Sequence, residues 1–210
     1  MRHALLLGGG GLAARIEADL VQAGWRVTLA PHAHCEASEP AQVAALRDRI
    51  EPVDALILTA GSFHRVPLLE ESIEAWRGSF RDNLETALVA GQAFLPGMRA
   101  RGWGRLVFFG MAGVSGHRAL PNVTASALSK GALLGLTRAF AAEGAAHGVT
   151  ANLLALGFVE SGSRQAPTPP SIPAGPGTPR DVVGCVRFLL SEEARYLNGS
   201  ELLVSGGWAL

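Results

Sequence analysis

Hydrophobic residues along this chain fall into two alternating patterns. Short, mainly apolar runs occur at Ala4–Leu7, Trp25–Ala30, Ala55–Thr59, Arg105–Phe109, Thr150–Ala155 and Glu201–Val204. Several of them end at glycine, most plainly at Gly8–Gly11, Ala60-Gly61 and Gly206-Gly207. Runs of this length without polar alternation predict strands buried on both faces. Longer segments between them carry apolar residues three or four positions apart. Leu12, Ile16 and Leu20 predict a helix to about Ala23, with Gly24 as its stop. A second helix is predicted from a Ser38 cap through Ile50, with Pro40 in its first turn. Others are predicted over Ser72–Arg99, over Thr124–His147 before Gly148, and over Pro179–Leu190 behind a Thr178 cap.

Strand and helix alternate from end to end. Parallel strands need long crossovers, and these helices supply them. The prediction is therefore one α/β domain over 1–210, a doubly wound parallel sheet in three αβα layers. Ligands of such sheets bind beyond the carboxyl ends of the strands. The loops after Leu7, Thr59, Phe109 and Ala155 should ring the site.

Composition fits this picture and removes some alternatives. Of the 210 residues 48% are hydrophobic and 17% charged, as a sheet covered on both faces requires. Eighteen basic residues balance eighteen acidic ones, so charge points to neither nucleic acid nor an anionic membrane as partner. No apolar run reaches the ~18 residues of a membrane span, and the first is too short for a signal peptide. A cytoplasmic chain is expected, and Cys35 and Cys185, with no CxxC spacing, fit one with idle thiols. His32 and His34 would share a face of a strand, but no third ligand is in view, so no metal site is predicted. A solvated loop is expected there, the alternative being contact with a 2′-phosphate. Ala166–Pro179, rich in proline and glycine, is expected to be an extended, mobile connector.

Gly8–Gly11, between the first strand and first helix, lets the chain turn tightly and lets a phosphate approach the backbone. Further motifs are more specific. They are DALILTAG at Asp54–Gly61, Asn83 followed by Leu95-Pro96-Gly97-Met98, GRLVFF at Gly104–Phe109, SKGAL at Ser129–Leu133, Gly148–Val159, and LNGSELLVSGGW at Leu197–Trp208. Together they resemble the short-chain dehydrogenase/reductase family from Ala4 to Trp208. The resemblance implies a Rossmann-like fold and hydride transfer between a nicotinamide and a carbonyl or carbinol. It implies that Lys130 holds the nicotinamide ribose and tunes a tyrosine general acid, and that Asn83 orders a water beside it. It also implies a dinucleotide site at Gly8, Gly11, Leu12, Glu36, Ala60, Gly61 and Lys130, with Glu36 facing the adenine.

The chain departs from that pattern where the chemistry should lie. Ser126 stands four residues before Lys130, where the family has its tyrosine. A serine hydroxyl is shorter in reach and titrates far above neutrality. The sole tyrosine, Tyr196, resembles a remote packing position. The family's serine is missing too: Gly110, Met111 and Gly113 fall at its place, and Ser115 lies in a lengthened loop. His117 is a candidate replacement acid, since histidine titrates near neutrality, though a surface or packing role is favoured. Leu7, Leu12-Ala13 and Leu58-Thr59 replace cofactor-motif residues, and a helix after the second strand is missing. NAD(P) is the implied cofactor, and these changes argue against tight binding. Trp76, Trp103 and Trp208 are assigned to packing or subunit contact.

The reading favoured by the sequence is a catalytically inactive or strongly impaired family member. It would act as a subunit beside an active paralogue or as a homo-oligomer, through helices 72–99 and 124–147 and the C-terminal strand. The alternative is an NAD(P)-dependent oxidoreductase with a non-tyrosine proton donor: Lys130, a water held by Asn83, or His117.

Overall fold

The computed structural model describes residues 1–115, 120–160 and 175–208. His117 and the 166–174 part of the predicted connector lie outside the described residues. Six strands, β1 (His3–Leu7), β2 (Arg26–Ala30), β3 (Ala55–Leu58), β4 (Gly104–Met111), β5 (Val149–Leu156) and β6 (Glu201–Val204), form one parallel sheet in the order β2-β1-β3-β4-β5-β6. Strand order reverses between β1 and β3, which creates the crevice of a doubly wound fold. One helix, α2 (Pro40–Arg49), joins β2 to β3, and β2 is left as an edge strand.

Alternate residues of β1 enter opposite layers, as strand geometry demands. Leu5 and Leu7 pack with Val43, Phe94, Met98 and Phe140 from α2, α4 (Thr86–Arg101) and α5 (Thr124–Ala145). Ala4 and Leu6 pack with Ile16, Leu20, Val186 and Leu189 from α1 (Gly11–Gln22) and α6 (Pro179–Leu190). The three-layer expectation holds.

Several helix ends follow the sequence signals. Gly24 takes a φ of +84° just past α1, a conformation glycine adopts freely. The Asp181 carboxylate accepts from the Thr178 N–H at 2.7 Å and its hydroxyl at 2.8 Å, fixing the start of α6. Ser38 does not cap α2. Glu39 holds that place, and the Ser38 hydroxyl donates to Glu36 instead. The segment expected as one helix over Ser72–Arg99 starts with Ser72 as cap, accepting from the Ala75 N–H at 3.1 Å. It is not uniform, however: α3 (Ile73–Phe80) and α4 are joined by a π-helical turn at Arg81–Glu85.

At the amino end of the sheet, Arg105 is only 2% exposed and donates to Gly104 and Gly148 carbonyls. Its guanidinium and that of Arg2 lie 4.3 and 3.7 Å from the Trp103 ring centre, so Trp103 packs as expected. Trp76 packs on Phe80, and Trp208 meets Phe158 edge-on. Tyr196 is 95% exposed, contrary to the packing expected of it.

Candidate functional site

The top of the sheet is drawn tight where its order reverses. Leu7 O accepts from the Thr59 and Ala60 N–H groups at 2.9 and 3.0 Å, and the Gly8 N–H donates to Ala30 O at 2.9 Å. A Cβ on Gly8 would lie 2.2 Å from Ala60 N and 2.6 Å from Thr59 C, backbone atoms that cannot yield, and φ there is +120°. Only glycine lets β1 leave the sheet this close to β3. Gly10 then precedes α1 with a φ of +91° and no side-chain cap, so the first N–H groups of a twelve-residue helix carry no capping side chain. That is the arrangement an anion meets favourably.

Beside this turn lies a cleft of about 440 Å³ lined by Gly8, Gly9, His32, Cys35, Glu36, Ala37, Thr59, Ala60, Gly61, Arg81, Asp82 and Thr86. Of the residues assigned to the cofactor by sequence, Gly8, Glu36, Ala60 and Gly61 line it. Gly11 does not; it opens α1 from the exposed side. Leu12 does not either, because it packs against the α1–α6 core. Burial pushes the Glu36 carboxyl up, but hydrogen bonds from Ser38 and the charges of His32 and Arg81 outweigh it and leave the group below its ordinary value. His32 Nδ1 lies 2.9 Å from Glu36 Oε2. His32 thus reaches the cleft, whereas His34 only closes a turn through its N–H to Pro31 O. Among the described residues no cluster of His, Cys, Asp and Glu could hold a metal.

The cleft leads to a second region between the π turn and α5. Asn83, 2% exposed, sits in the π turn, a local widening that often marks functional positions. Its Nδ2 donates to Ser79 O at 2.9 Å and to Ser129 Oγ at 3.1 Å, and its Oδ1 accepts from the Ser62 N–H at 3.1 Å. Gly61 bridges the two regions. A Cβ there would lie 2.7 Å from Asn83 Oδ1 and 3.4 Å from Lys130 Nζ, with φ at +151°. Lys130 is partly buried, and among the described residues no carboxylate pairs with it. Burial holds its ammonium down, to about 8.

Ser126 lies one turn before Lys130 on α5 and is fully buried. Its Oγ accepts from the His64 N–H at 2.9 Å and donates to His64 O at 3.4 Å. The Val66 N–H donates to Asn122 O at 2.7 Å. The loop after β3 is therefore stitched across the start of α5, and the Ser126 hydroxyl faces the His64 backbone. Gly110 and Met111 belong to β4, the buried Gly113 has a φ of +84°, and Ser115 is exposed beyond it.

Of the residues singled out by sequence, the structure places Asn83, Lys130 and Gly61 side by side. Sequence reasoning missed Arg81 and Asp82 in the cleft wall, Ser129 as the partner of Asn83, and the His64 backbone over Ser126. Arg81 could have been found by its place two residues before Asn83. A further signal was also available: Lys130 is the only lysine among eighteen basic residues.

A crevice at the strand-order reversal, a glycine turn into an uncapped helix and a lysine on α5 define a dinucleotide-fold protein. The comparisons narrow this. The family model described as Enoyl-(Acyl carrier protein) reductase matches residues 13–209. A 3-oxoacyl-[acyl-carrier-protein] reductase of Vibrio cholerae is 33% identical over 176 residues, 80% of this chain and 71% of that protein. A 2-keto-3-deoxy-L-fuconate dehydrogenase of Xanthomonas campestris is 30% identical over 83% of this chain, which spans 63% of that protein's length. A solved structure from Beutenbergia cavernae, assigned as an NAD(P) dependent gluconate 5-dehydrogenase with NADP bound at low occupancy, superposes with a TM-score of 0.86 at 31% identity, covering 99% of this chain and 96% of that one. The chain belongs to the short-chain dehydrogenase/reductase family. No helix among the described residues is long and apolar enough to cross a membrane.

Proposed function

We propose that this protein is a dinucleotide-holding member of the family in which carbonyl reduction is strongly impaired, and that it works by association. The observation that carries the reading is the state of Ser126. Its side chain is fully buried and bonded to the His64 backbone, so it offers no proton to the cleft. A phenol at this position would supply about 10²–10⁴-fold of acid catalysis; a serine held this way supplies none.

Backbone geometry supports the cofactor half of this reading. The close Gly8–Ala60 approach, the uncapped α1 and the Arg81 wall fit a nicotinamide dinucleotide, whose diphosphate would meet the α1 amides and whose ribose would meet Lys130. When bound, the nicotinamide supplies a hydride. The chain's own part is to hold the sugar and exclude water, with Asn83 keeping Gly61 and Lys130 in register.

Association is supported by exposed apolar side chains on the expected elements: Leu88 on α4, Leu128 on α5 and Leu203 on β6. The occupant is a second copy or an intact relative. Titration with NADH and with NADPH, followed by nicotinamide fluorescence, tests the cofactor reading: saturable enhancement is expected, and a flat response to both overturns it. Sedimentation of the pure chain and of its mixture with an intact relative tests association. A monomer in both would overturn that part.

A further inference from the structure

We infer that the free edge of β2 is a self-association surface, on which a second copy of this chain pairs antiparallel about a two-fold axis at Thr28 and continues the sheet. This edge lies apart from the α4, α5 and β6 surfaces of the proposed function. Its pairing requires neither them nor a bound dinucleotide.

The backbone sets the register. The Arg26 N–H donates to Arg2 O, and Ala30 O accepts from the Gly8 N–H, both at 2.9 Å. Successive residues of a strand turn their polar groups to opposite sides, so Arg26, Thr28 and Ala30 serve β1. The N–H and C=O groups of Val27 and Leu29 therefore point to the open edge. Among the described residues no backbone group bonds to them there. Setting Val27 opposite Leu29 of a second copy satisfies all of these groups in both chains and puts Thr28 on the axis. It also lays two half-buried apolar side chains beside each other on the α1 face. The strand lacks the devices that keep an edge from pairing: it holds no proline and no bulge, and its one charge, Arg26, stands at its end.

Specific dimers bury about 800 Å² from each partner, more than a five-residue strand provides. The flanking layers must therefore take part, and both suit a second copy. One helix, α1, packs over β2 on one side and against α6 on the other. With strands about 4.8 Å apart, pairing brings the two α1 helices to about 10 Å, the spacing of packed helices. Asp19 turns toward α6, where its carboxylate lies 3.7 Å from Arg187. Helical periodicity puts Ala14 and Val21 on the opposite side, over the edge. Both are exposed, Val21 by 56%, and both are small enough for close contact. Glu17 shares that side and has the length to turn out to water. In the other layer, α2 is preceded by exposed Glu39 and ends at exposed Arg49. Neither is in an ion pair among the described residues. A two-fold axis reverses the second copy, so the acidic end of one α2 meets the basic end of the other.

The test is a disulfide across the axis. Opposed residues in a non-hydrogen-bonded pair have Cα atoms about 4.5 Å apart, within reach of a disulfide. Two copies of residue 26 would lie about 13 Å apart in the same register. Thr28→Cys and Arg26→Cys are each made in a Cys185→Ser chain, Cys35 being buried, and oxidised with glutathione disulfide. Thr28→Cys should form a linked dimer at least about tenfold faster than Arg26→Cys, although Arg26 is the more exposed. Equal rates, or no dimer from either, would overturn the inference. Val27→Pro removes an outward N–H at an edge position where proline is tolerated. Added to Thr28→Cys, it should abolish the link while circular dichroism shows a folded chain, and Leu128→Glu on α5 should leave the link intact. A link kept with Val27→Pro and lost with Leu128→Glu would overturn the edge surface and leave association through α5 standing.

Discussion

Two neighbouring regions of this molecule have diverged in different ways. The crevice between β1 and β3 keeps its backbone geometry although its motif residues have changed. The region over the start of α5 holds Lys130 and Asn83, and there the loop after β3 is bonded to Ser126. The contrast shows which features a dinucleotide site needs. The crevice is made by main-chain approach and a helix end, which tolerate substitution as long as Gly8 and Gly61 remain. In the proposed reading the α5 pocket depends on one side chain of defined reach and acidity, so a single replacement there changes what it can do.

Three variants separate the two regions, beginning with the largest effect. Gly8→Val should remove dinucleotide binding and destabilise the fold by at least about 3 kcal/mol, since overpacking and a forbidden backbone angle act together. Denaturant midpoints and NADPH fluorescence would show it, and a folded variant that still bound NADPH would break the account of the crevice. Lys130→Met should stabilise the unliganded chain at neutral pH, by up to about 3 kcal/mol. The folded chain releases this proton near 8 and the unfolded chain only near 10.5. Below about 8 the full penalty is present, and it fades as pH rises toward 10.5, so the variant's advantage should vanish over that window. Ser126→Ala should cost about 1–2 kcal/mol, because it leaves the His64 N–H without its partner, while leaving NADPH affinity unchanged. A loss of affinity there would join the two regions that are separated here.

The smallest expected effect lies far from both, at His3, which burial holds below its ordinary value of 6.5. The unfolded chain takes up this proton first as pH falls through 6.5, so stability should decline from there downward. His3→Gln should flatten that slope. An unchanged slope would show that the acid sensitivity originates elsewhere.

The inner strands were readable in advance because buried parallel strands leave continuous apolar runs. The edge strands β2 and β6 are only partly buried, contrary to the expectation of burial on both faces. The predicted β6 matches residue for residue, and the β5 and β4 predictions fall short only at their ends. The π turn at Arg81–Glu85 was not readable. Its apolar spacing continues that of the helices on both sides, and its long-range partner, Ser129 bonded to Asn83, is far away in sequence. The position of Ser126 on α5 was legible from its spacing to Lys130. Its engagement was not, because its partner is a backbone sixty-two residues away, and backbone groups leave no signature in sequence. Tyr196 failed as a packing residue for the related reason that an aromatic in a polar turn looks the same whether covered or bare.

The central claim is that the crevice can hold a dinucleotide and the α5 pocket cannot complete the proton transfer. The most direct test is to load the protein with NADPH, add an acetoacetyl thioester and follow nicotinamide absorbance. Working enzymes turn over at about 1–10³ s⁻¹. The account predicts saturable NADPH binding with oxidation slower than about 0.1 s⁻¹, and bound NADPH oxidised at about 1 s⁻¹ or faster would contradict it.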